Sequence, residues 1–297
     1  MISVCIPVYN YNISPLIKEL LTQLKLVNVP FEIIVIDDNS DEKFNKLNQG
    51  IVKNTHYIQL KKNIGRAKIR NKFLEIAQYD YMLFIDNDSR IIFENYIKNY
   101  IETIKSGQVQ IVFGGRIFGE RPTNRNCLLR WKYGVKRESK PAHIRNLSPN
   151  KSFMTNNFII HRSLFEKVKF NEELLEYGHE DTLFGYEIKK QGFTINHIEN
   201  PVLNGDYETN DRYLIKTEKA ILNLIYMLKY TNNDQTFIND VSLLKYQQQL
   251  DSLKIDCLFR WVFIIKGPII RSLLSKGFSN MTLFSFYKLG FLMINKR

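Results

Sequence analysis

A rhythm over the first 120 residues limits what this chain can fold into. Short runs of β-branched and apolar residues, ISVCIPVY (2–9), FEIIVID (31–37), THYIQL (55–60), YMLFID (81–86) and QIVFGG (110–115), alternate with stretches of helical periodicity. Residues 14–27 put Leu16, Ile17, Leu20, Leu21 and Leu24 on one face, with Ser14 as the expected N-cap before Pro15. Residues 65–78 place Ile69, Phe73, Leu74 and Ala77 in the same way, and residues 92–105 follow the same habit. Such alternation describes βαβ units, and these call for an α/β fold with a mostly parallel sheet flanked by helices.

In sheets of this kind ligands collect beyond the carboxyl ends of the strands. The notable polar clusters stand there: Tyr9-Asn10 after the first strand, Asp37-Asp38-Asn39-Ser40 after the second, Asp86-Asn87-Asp88 after the fourth. Asp86 and Asp88 form a DxD pair. Two carboxylates one residue apart repel, and a hard divalent cation, Mg²⁺ or Mn²⁺, removes the repulsion while keeping positions for water and phosphate. A solvated turn rich in Asp and Asn is the plainer alternative. Asn63, Gly65, Arg66, Arg70 and Asn71 form a further group, in which a glycine at a strand-to-helix turn precedes arginines suited to a diphosphate. The alternative is a helix start with a basic, solvated face. Tyr177-Gly178-His179-Glu180-Asp181 opens a helical stretch that Gly192 closes. Its acids either cap the helix dipole or supply a general base, and His179 reads as structural.

Beyond residue 116 the texture is less regular. A basic stretch (120–151) precedes FIIHRSLFEKV, a strand entering a helix, and residues 213–230 and 240–255 are amphipathic helices. The net charge is +12, partly a property of the tail. From Cys257 onward there is no Asp or Glu, whereas Arg260, Lys266, Arg271, Lys276, Lys288, Lys296 and Arg297 are basic. Uncharged runs in the tail are shorter than the roughly 18–20 residues of a spanning helix, and Gly267-Pro268 is expected to break its first half. Aromatic and aliphatic residues beside cations describe a segment that lies on an anionic membrane surface. Packing on the rest of the chain or in a dimer is the alternative. Charge alone does not make a nucleic-acid binder: no reader motif is present, and acidic strand ends repel phosphates. Cys5, Cys127 and Cys257 suggest neither a disulfide framework nor a zinc site and fit a reducing compartment. No secretory signal is visible at the N-terminus.

Taken in order, SVCIPVYN, IIVIDDNS, NIGRAKIRN, FIDNDS, the Gly-Gly before the irregular stretch and GHEDTLFG resemble family 2 glycosyltransferases. The resemblance covers about residues 1–210, and FMTNNFIIHRSLFEKVKFNEELLEYGHEDTLFG looks especially like bacterial surface-polysaccharide members. It implies a nucleotide-sugar-binding GT-A fold (Rossmann-like) with a C-terminal helical extension. The implied division is a catalytic domain over 1–212, with a nucleotide-binding half (1–115) and an acceptor-binding half (116–212), followed by 213–297. It implies inverting transfer of a sugar from a nucleoside-diphosphate sugar, with UDP the expected nucleotide, to a hydroxyl of a glycan or lipid-linked acceptor. The expected place is the inner face of the cytoplasmic membrane. Pro7, Tyr9 and Asp38 would hold the nucleobase and ribose. Gly65, Arg66 and Arg70 would lie near the nucleotide. Asp86, with Asn87 beside it, would reach the ribose or a metal-bound water, and Asp88 would ligate Mn²⁺ or Mg²⁺. Asp181 would be the base, with Glu180 beside it. Relatives commonly carry a His after Asn-Pro-Val; here Asn204 stands in that place, so Asn204 or Asp206 would substitute as a ligand, or metal binding is weaker, or the chain is an inactive nucleotide-sugar-binding subunit. Donor choice would fall to the 116–160 stretch, with Trp131, Asn156 and Asn157 as candidates.

Overall fold

The computed structural model of the chain describes residues 1–107, 109–174, 178–205 and 207–296; Tyr177, Asp206 and Arg297, all named above, lie outside the described residues. The strands are β1 (Ile2–Val8), β2 (Phe31–Asp37), β3 (His56–Gln59), β4 (Tyr81–Ile85), β5 (Ser89–Arg90), β6 (Ile111–Phe113), β7 (Arg116–Phe118), β8 (Asn157–His161), β9 (Asn196–His197) and β10 (Val202–Asn204). The helices before the midpoint are α1 (Ser14–Leu24), α2 (Glu42–Asn48), α3 (Arg66–Ile76), α4 (Tyr96–Lys105), α5 (Leu128–Tyr133) and α6 (Ala142–Arg145). Those after it are α7 (Arg162–Lys167), α8 (Glu180–Lys190), α9 (Asn210–Tyr230), α10 (Gln235–Asp240), α11 (Ser242–Ser252), α12 (Asp256–Ser275) and α13 (Met281–Asn295).

The chain forms two compact units interleaved in sequence. One comprises Met1–Gly119, Ser139–Leu175 and Phe184–Gly205, the other Glu120–Glu138, Glu176–Leu183 and Asp206–Arg297. The first unit holds a seven-stranded sheet of order β3-β2-β1-β4-β8-β6-β9. It is parallel from β3 through β4, and β8 enters antiparallel to both β4 and β6. Apolar side chains fill both faces. Ile6, Leu83 and Ile159 pack under α1 and α4, while Phe84, Phe158 and Ile34 pack beneath Phe73 of α3 and Phe165 of α7. Both faces buried is why the β1, β2 and β4 sequences are continuous apolar runs with no clean alternation. A second sheet of three short strands runs β5-β10-β7.

The second unit is helical. Leu129 of α5, Tyr213 and Leu214 of α9, Phe263, Ile270 and Leu274 of α12, and Phe284 and Tyr287 of α13 share one core. Its buried amide Asn210 donates to Arg125 O and accepts from Leu129 N, tying the start of α9 to the 120–138 segment.

Two local expectations are corrected. Ser14 is the first helical residue of α1, not its cap: Ile13 stands at the N-cap, and the Ser14 hydroxyl donates to Leu47 O. Pro15 then falls early in the helix, where its missing N–H removes nothing. Gly267-Pro268 does not break the tail either, since α12 runs from Asp256 to Ser275 with Pro268 inside it. Pro268 and Ile264, whose carbonyl loses its partner, both lie on the exposed side, where water can take the bond.

Candidate nucleotide and metal site, and a separate acid pair

The site in the first unit grows from the ends of β1, β2 and β4. β1 and β2 run in register to Val8 opposite Asp37. Both then turn sharply, with Asn10 and Asn39 at positive φ. Asn10 N donates to Ser40 Oγ at 2.8 Å and Asp41 N donates to Asn10 Oδ1 at 2.8 Å, so the two turns brace one another. Asp37 is wholly buried and accepts from Ser40 N (2.7 Å) and Tyr57 Oη (2.9 Å), which makes it a structural acid. Tyr9 is left 52% exposed, its ring available as a packing face. Pro7 lies beyond Cys5, the last residue of β1 paired to β4.

Asp38 joins β2 to the next turn. Its Oδ1 accepts from Ile64 N at 2.7 Å and its Oδ2 from Gly65 N at 3.0 Å. Burial raises its pKa while these two N–H bonds work against the rise. Gly65 has a φ of +84°, and open space surrounds the place of a Cβ, so the glycine is there for its backbone and not for room. It puts Arg66 at the first turn of α3 and Arg70 one turn on. Arg66 is exposed, whereas Arg70 is buried, reaches Asp86 and lies 5.6 Å over the Phe170 ring.

The DxD turn is fixed by several elements. Asp86 N donates to Asn156 O at 3.0 Å, continuing the β4–β8 ladder, and Asn87 Nδ2 reaches Tyr9 O at 3.5 Å. β10 pairs β5 with Asn204 opposite Ser89, and Gly205 N donates to Asp88 O at 2.9 Å. A Cβ on Gly205 would stand 2.6 Å from that oxygen, so only glycine allows the approach. The backbone of Asn204 is thereby brought next to the DxD turn. The Asp88 carboxyl is pushed up first by burial and also by Asp86, while Arg116 and Arg66 oppose the rise.

Asp86, Asp88 and the Asn204 amide are hard oxygen donors, too few to enclose an ion and sufficient for one that keeps phosphate and water oxygens. Among the described residues there is no group of three His, Cys, Asp or Glu that could hold a metal. The mutual repulsion of Asp86 and Asp88 fits a divalent cation, which removes it. Arg116 joins this group without belonging to any of the sequence motifs. Its one signal was its place directly after the Gly114-Gly115 end of the β6 segment, and β7 carries it beside β10.

Two consecutive asparagines at the β8 end differ sharply. Asn157 is a clasp: its Oδ1 accepts from Tyr96 Oη and Tyr100 Oη, and its Nδ2 donates to Gly115 O and Asn200 O. Asn156 is 2% exposed, and neither its Oδ1 nor its Nδ2 has a hydrogen-bond partner among the described residues. A sealed, unpaired amide costs about 1–3 kcal/mol.

The acid pair belongs to the second unit. Gly178 has a φ of +102°, and a Cβ there would stand 2.4 Å from Ala220 Cβ. His179 follows at positive φ, bonds Thr182 Oγ1 through Nδ1 at 3.0 Å, and is pulled down to about 4 by burial and Lys288 against Glu180. It is neutral and structural. Asp181 accepts from Thr182 N at 2.7 Å. Its carboxyl is pushed up to about 7, first by burial, then by Glu180, with Glu138 adding to the rise. Glu138 is held by a two-point pair with Arg130, at 3.0 and 2.9 Å. No sequence signal marked Glu138. Trp131 lies in α5 of this unit. A carboxyl titrating near neutrality is suited to proton abstraction.

The model of the glycosyl transferase family 2 matches residues 3–169. An uncharacterized glycosyltransferase of Methanocaldococcus jannaschii is 23% identical over 219 residues, which is 70% of this chain and 71% of the relative. A poly(ribitol-phosphate) beta-glucosyltransferase of Bacillus spizizenii is 34% identical over 120 residues; that stretch is 38% of this chain and 18% of the relative. Among solved structures, a mannosyltransferase of Pyrobaculum calidifontis in complex with GDP-Man and Mn²⁺ superposes with a TM-score of 0.60 at 13% identity. The match covers 99% of this chain and 84% of that one and shows a shared fold.

Proposed function

Because the chain belongs to glycosyl transferase family 2, we propose that it moves a sugar from a nucleoside-diphosphate sugar to an acceptor hydroxyl with inversion. One observation carries the donor side: Asp88 lies within the electrostatic reach of Asp86, Arg66 and Arg116 at once. Paired acids that can take a divalent cation, flanked by guanidinium groups that can face phosphate oxygens, suit a metal–diphosphate group.

In this reading Asp88, Asp86 and Asn204 would hold Mn²⁺ or Mg²⁺, which when bound would offset the charge of the departing diphosphate. The Mn²⁺ in the Pyrobaculum calidifontis structure supports a divalent ion. Arg66 and Arg116 add fixed positive charge toward the same leaving group. Arg70 acts through Asp86, holding its carboxylate in place. Tyr9, Pro7, Asp38 and Gly65 form the nucleoside side, with Asn87 beside them. Asp181 removes the acceptor proton as the hydroxyl attacks, and Glu180 and Glu138 keep it basic enough to do so at neutral pH. A single displacement inverts the anomeric centre. We take residues 1–115 as the nucleotide half, 116–212 as the acceptor half and 213–297 as a membrane-associating extension.

The acceptor is a glycan or lipid-linked glycan of a surface polysaccharide, handled at the inner face of the cytoplasmic membrane. The Bacillus spizizenii relative's name supports the acceptor class, and the acid-free tail supports the location. UDP is the first nucleotide to test and GDP the second. Hydrolysis of UDP- and GDP-sugars with Mn²⁺, measured on the purified chain and on Asp88→Ala, tests the donor side. Hydrolysis by the intact chain and its loss in the variant support the reading. Binding of nucleotide sugar with no turnover under any condition favours the second reading, an inactive nucleotide-sugar-binding subunit, which Asn204 in the expected His position motivates.

A further inference from the structure

Helix α12 carries two apolar faces, and only one is used inside its unit. Phe263, Gly267, Ile270 and Leu274 are buried against α9 and α13. The Phe263 ring fills the notch at Gly290, where a Cβ would stand 2.0 Å from it, so the rotation of α12 about its axis is fixed by shape. On the other side Leu258, Trp261, Ile264, Ile265, Ile269 and Leu273 are exposed, Trp261 at 62% and Ile264 at 64%. Their spacing keeps them on one side of the helix over about 22 Å at 1.5 Å per residue. A solvent face of that composition is unusual for a helix whose opposite face already supplies the core.

The charges beside the face choose its partner. Lys266 and Lys276 are exposed, and the tail from Cys257 onward contains no acid. Arg271 does not count with them, because it is paired with Glu218 at 2.8 Å and Asp211 at 3.3 Å. A second copy docked through the same face would bring lysines against lysines with no tail carboxylate between them. An anionic lipid surface answers both the apolar stripe and its cations. No helix among the described residues is long and apolar enough to cross a membrane. Helix α13 contributes little to such a surface, because Phe284, Tyr287, Leu292 and Met293 are buried.

We propose that the Leu258–Leu273 face of α12, with Lys266 and Lys276, is the membrane-docking surface of this protein and lies flat on a bilayer of anionic phospholipid. The inference rests on the reading of 213–297 as membrane-associating and deepens it: one helix face, in one orientation, does the docking. It also fits an acceptor presented at a bilayer.

The test uses the full chain and sucrose-loaded vesicles of phosphatidylcholine alone or with phosphatidylglycerol. The intact chain is expected to pellet with the mixed vesicles and far less with the neutral ones. Leu258→Ser/Ile265→Ser/Ile269→Ser is expected to lower partitioning about tenfold or more. Lys266→Glu/Lys276→Glu is expected to lower it at least about fivefold, on the anionic vesicles alone. Both variants change exposed residues, and unchanged melting temperatures verify folding. Equal pelleting of intact chain and variants overturns the proposal. So does a dimer by light scattering that the triple variant dissociates, which would make the face an interface between copies. Soluble donor hydrolysis is measured in parallel. Its absence in a chain that still pellets through this face sinks the enzymatic reading and leaves the docking surface standing.

Discussion

Arg70 Nη2 donates to Asp86 Oδ1 at 2.9 Å from a guanidinium that is only 2% exposed, while the carboxylate it holds is 21% exposed. The pair thus runs from the core to the floor of the candidate nucleotide site. One end is fixed by packing and the other is presented to ligand, so the first acid of the DxD turn has a defined position before any ligand arrives.

Removing that anchor carries a stability cost and a functional one. Arg70→Met leaves Asp86 half-sealed without its cation, and we expect a loss of about 3 kcal/mol, the low end for a broken buried pair. Denaturant unfolding measures it. Arg70→Met/Asp86→Asn should recover part of the loss, since the two residues form one interaction.

Asp88→Ala should abolish metal-dependent donor hydrolysis, by at least about 10²-fold, with the melting temperature kept. Asn204→His places an imidazole on the β10 residue that pairs with Ser89, next to the DxD turn. Tighter Mn²⁺ binding by titration calorimetry is the expected result, because imidazole is a stronger donor for transition-series ions than an amide oxygen. Unchanged Mn²⁺ affinity would remove Asn204 from the ligand set.

Arg116→Ala should weaken donor binding about tenfold or more without unfolding the chain, as expected for one charge-assisted contact. The effect should appear for UDP as well as for UDP-sugar, since the guanidinium is assigned to the diphosphate. Asn156→Leu separates a second role. It removes an unpaired buried amide at constant size, so the melting temperature should not fall. A selective loss of nucleotide-sugar affinity over free nucleotide would assign that amide to the sugar.

The pH dependence follows from Asp181. As a base it acts ionised, so transfer should climb with pH through about 7 and then level. Glu138→Gln removes a negative neighbour and should move that limb to lower pH. Stability runs the other way. The unfolded carboxyl ionises near its ordinary 3.8, whereas the folded one holds its proton to about 7. The native state therefore binds more protons in that window, and this group's contribution to stability falls as pH rises across it. Asp181→Asn should flatten the slope in pH-resolved thermal melts.

The small residues between α12 and α13 are as decisive for the second unit as the acids are for the first. Gly290→Ala forces a methyl into the Phe263 ring, and overpacking of that kind costs about 1–3 kcal/mol. A lowered melting temperature, rescued in part by Phe263→Leu, would verify the notch.

What the sequence determined by itself is local. Strand and helix periods placed β1, β2, β4, α1 and α3 within a few residues, because each period is set by side-chain direction along one element. The same periods put DDNS and DNDS at strand ends, and a parallel sheet sends those ends to one edge. What the tertiary structure decided depends on partners far along the chain. The antiparallel entry of β8 sets Asn156 against Asp86, the β5–β10 pairing sets Asn204 against the DxD turn, and β7 carries Arg116 to Asp88. Glu138 beside Asp181 has no local signal, and the tail's composition marks an interfacial segment without saying which face of α12 stays exposed. Periodicity records that a residue faces an apolar neighbour or water; only the assembled chain decides which neighbour, and charges act across that distance and not along the sequence.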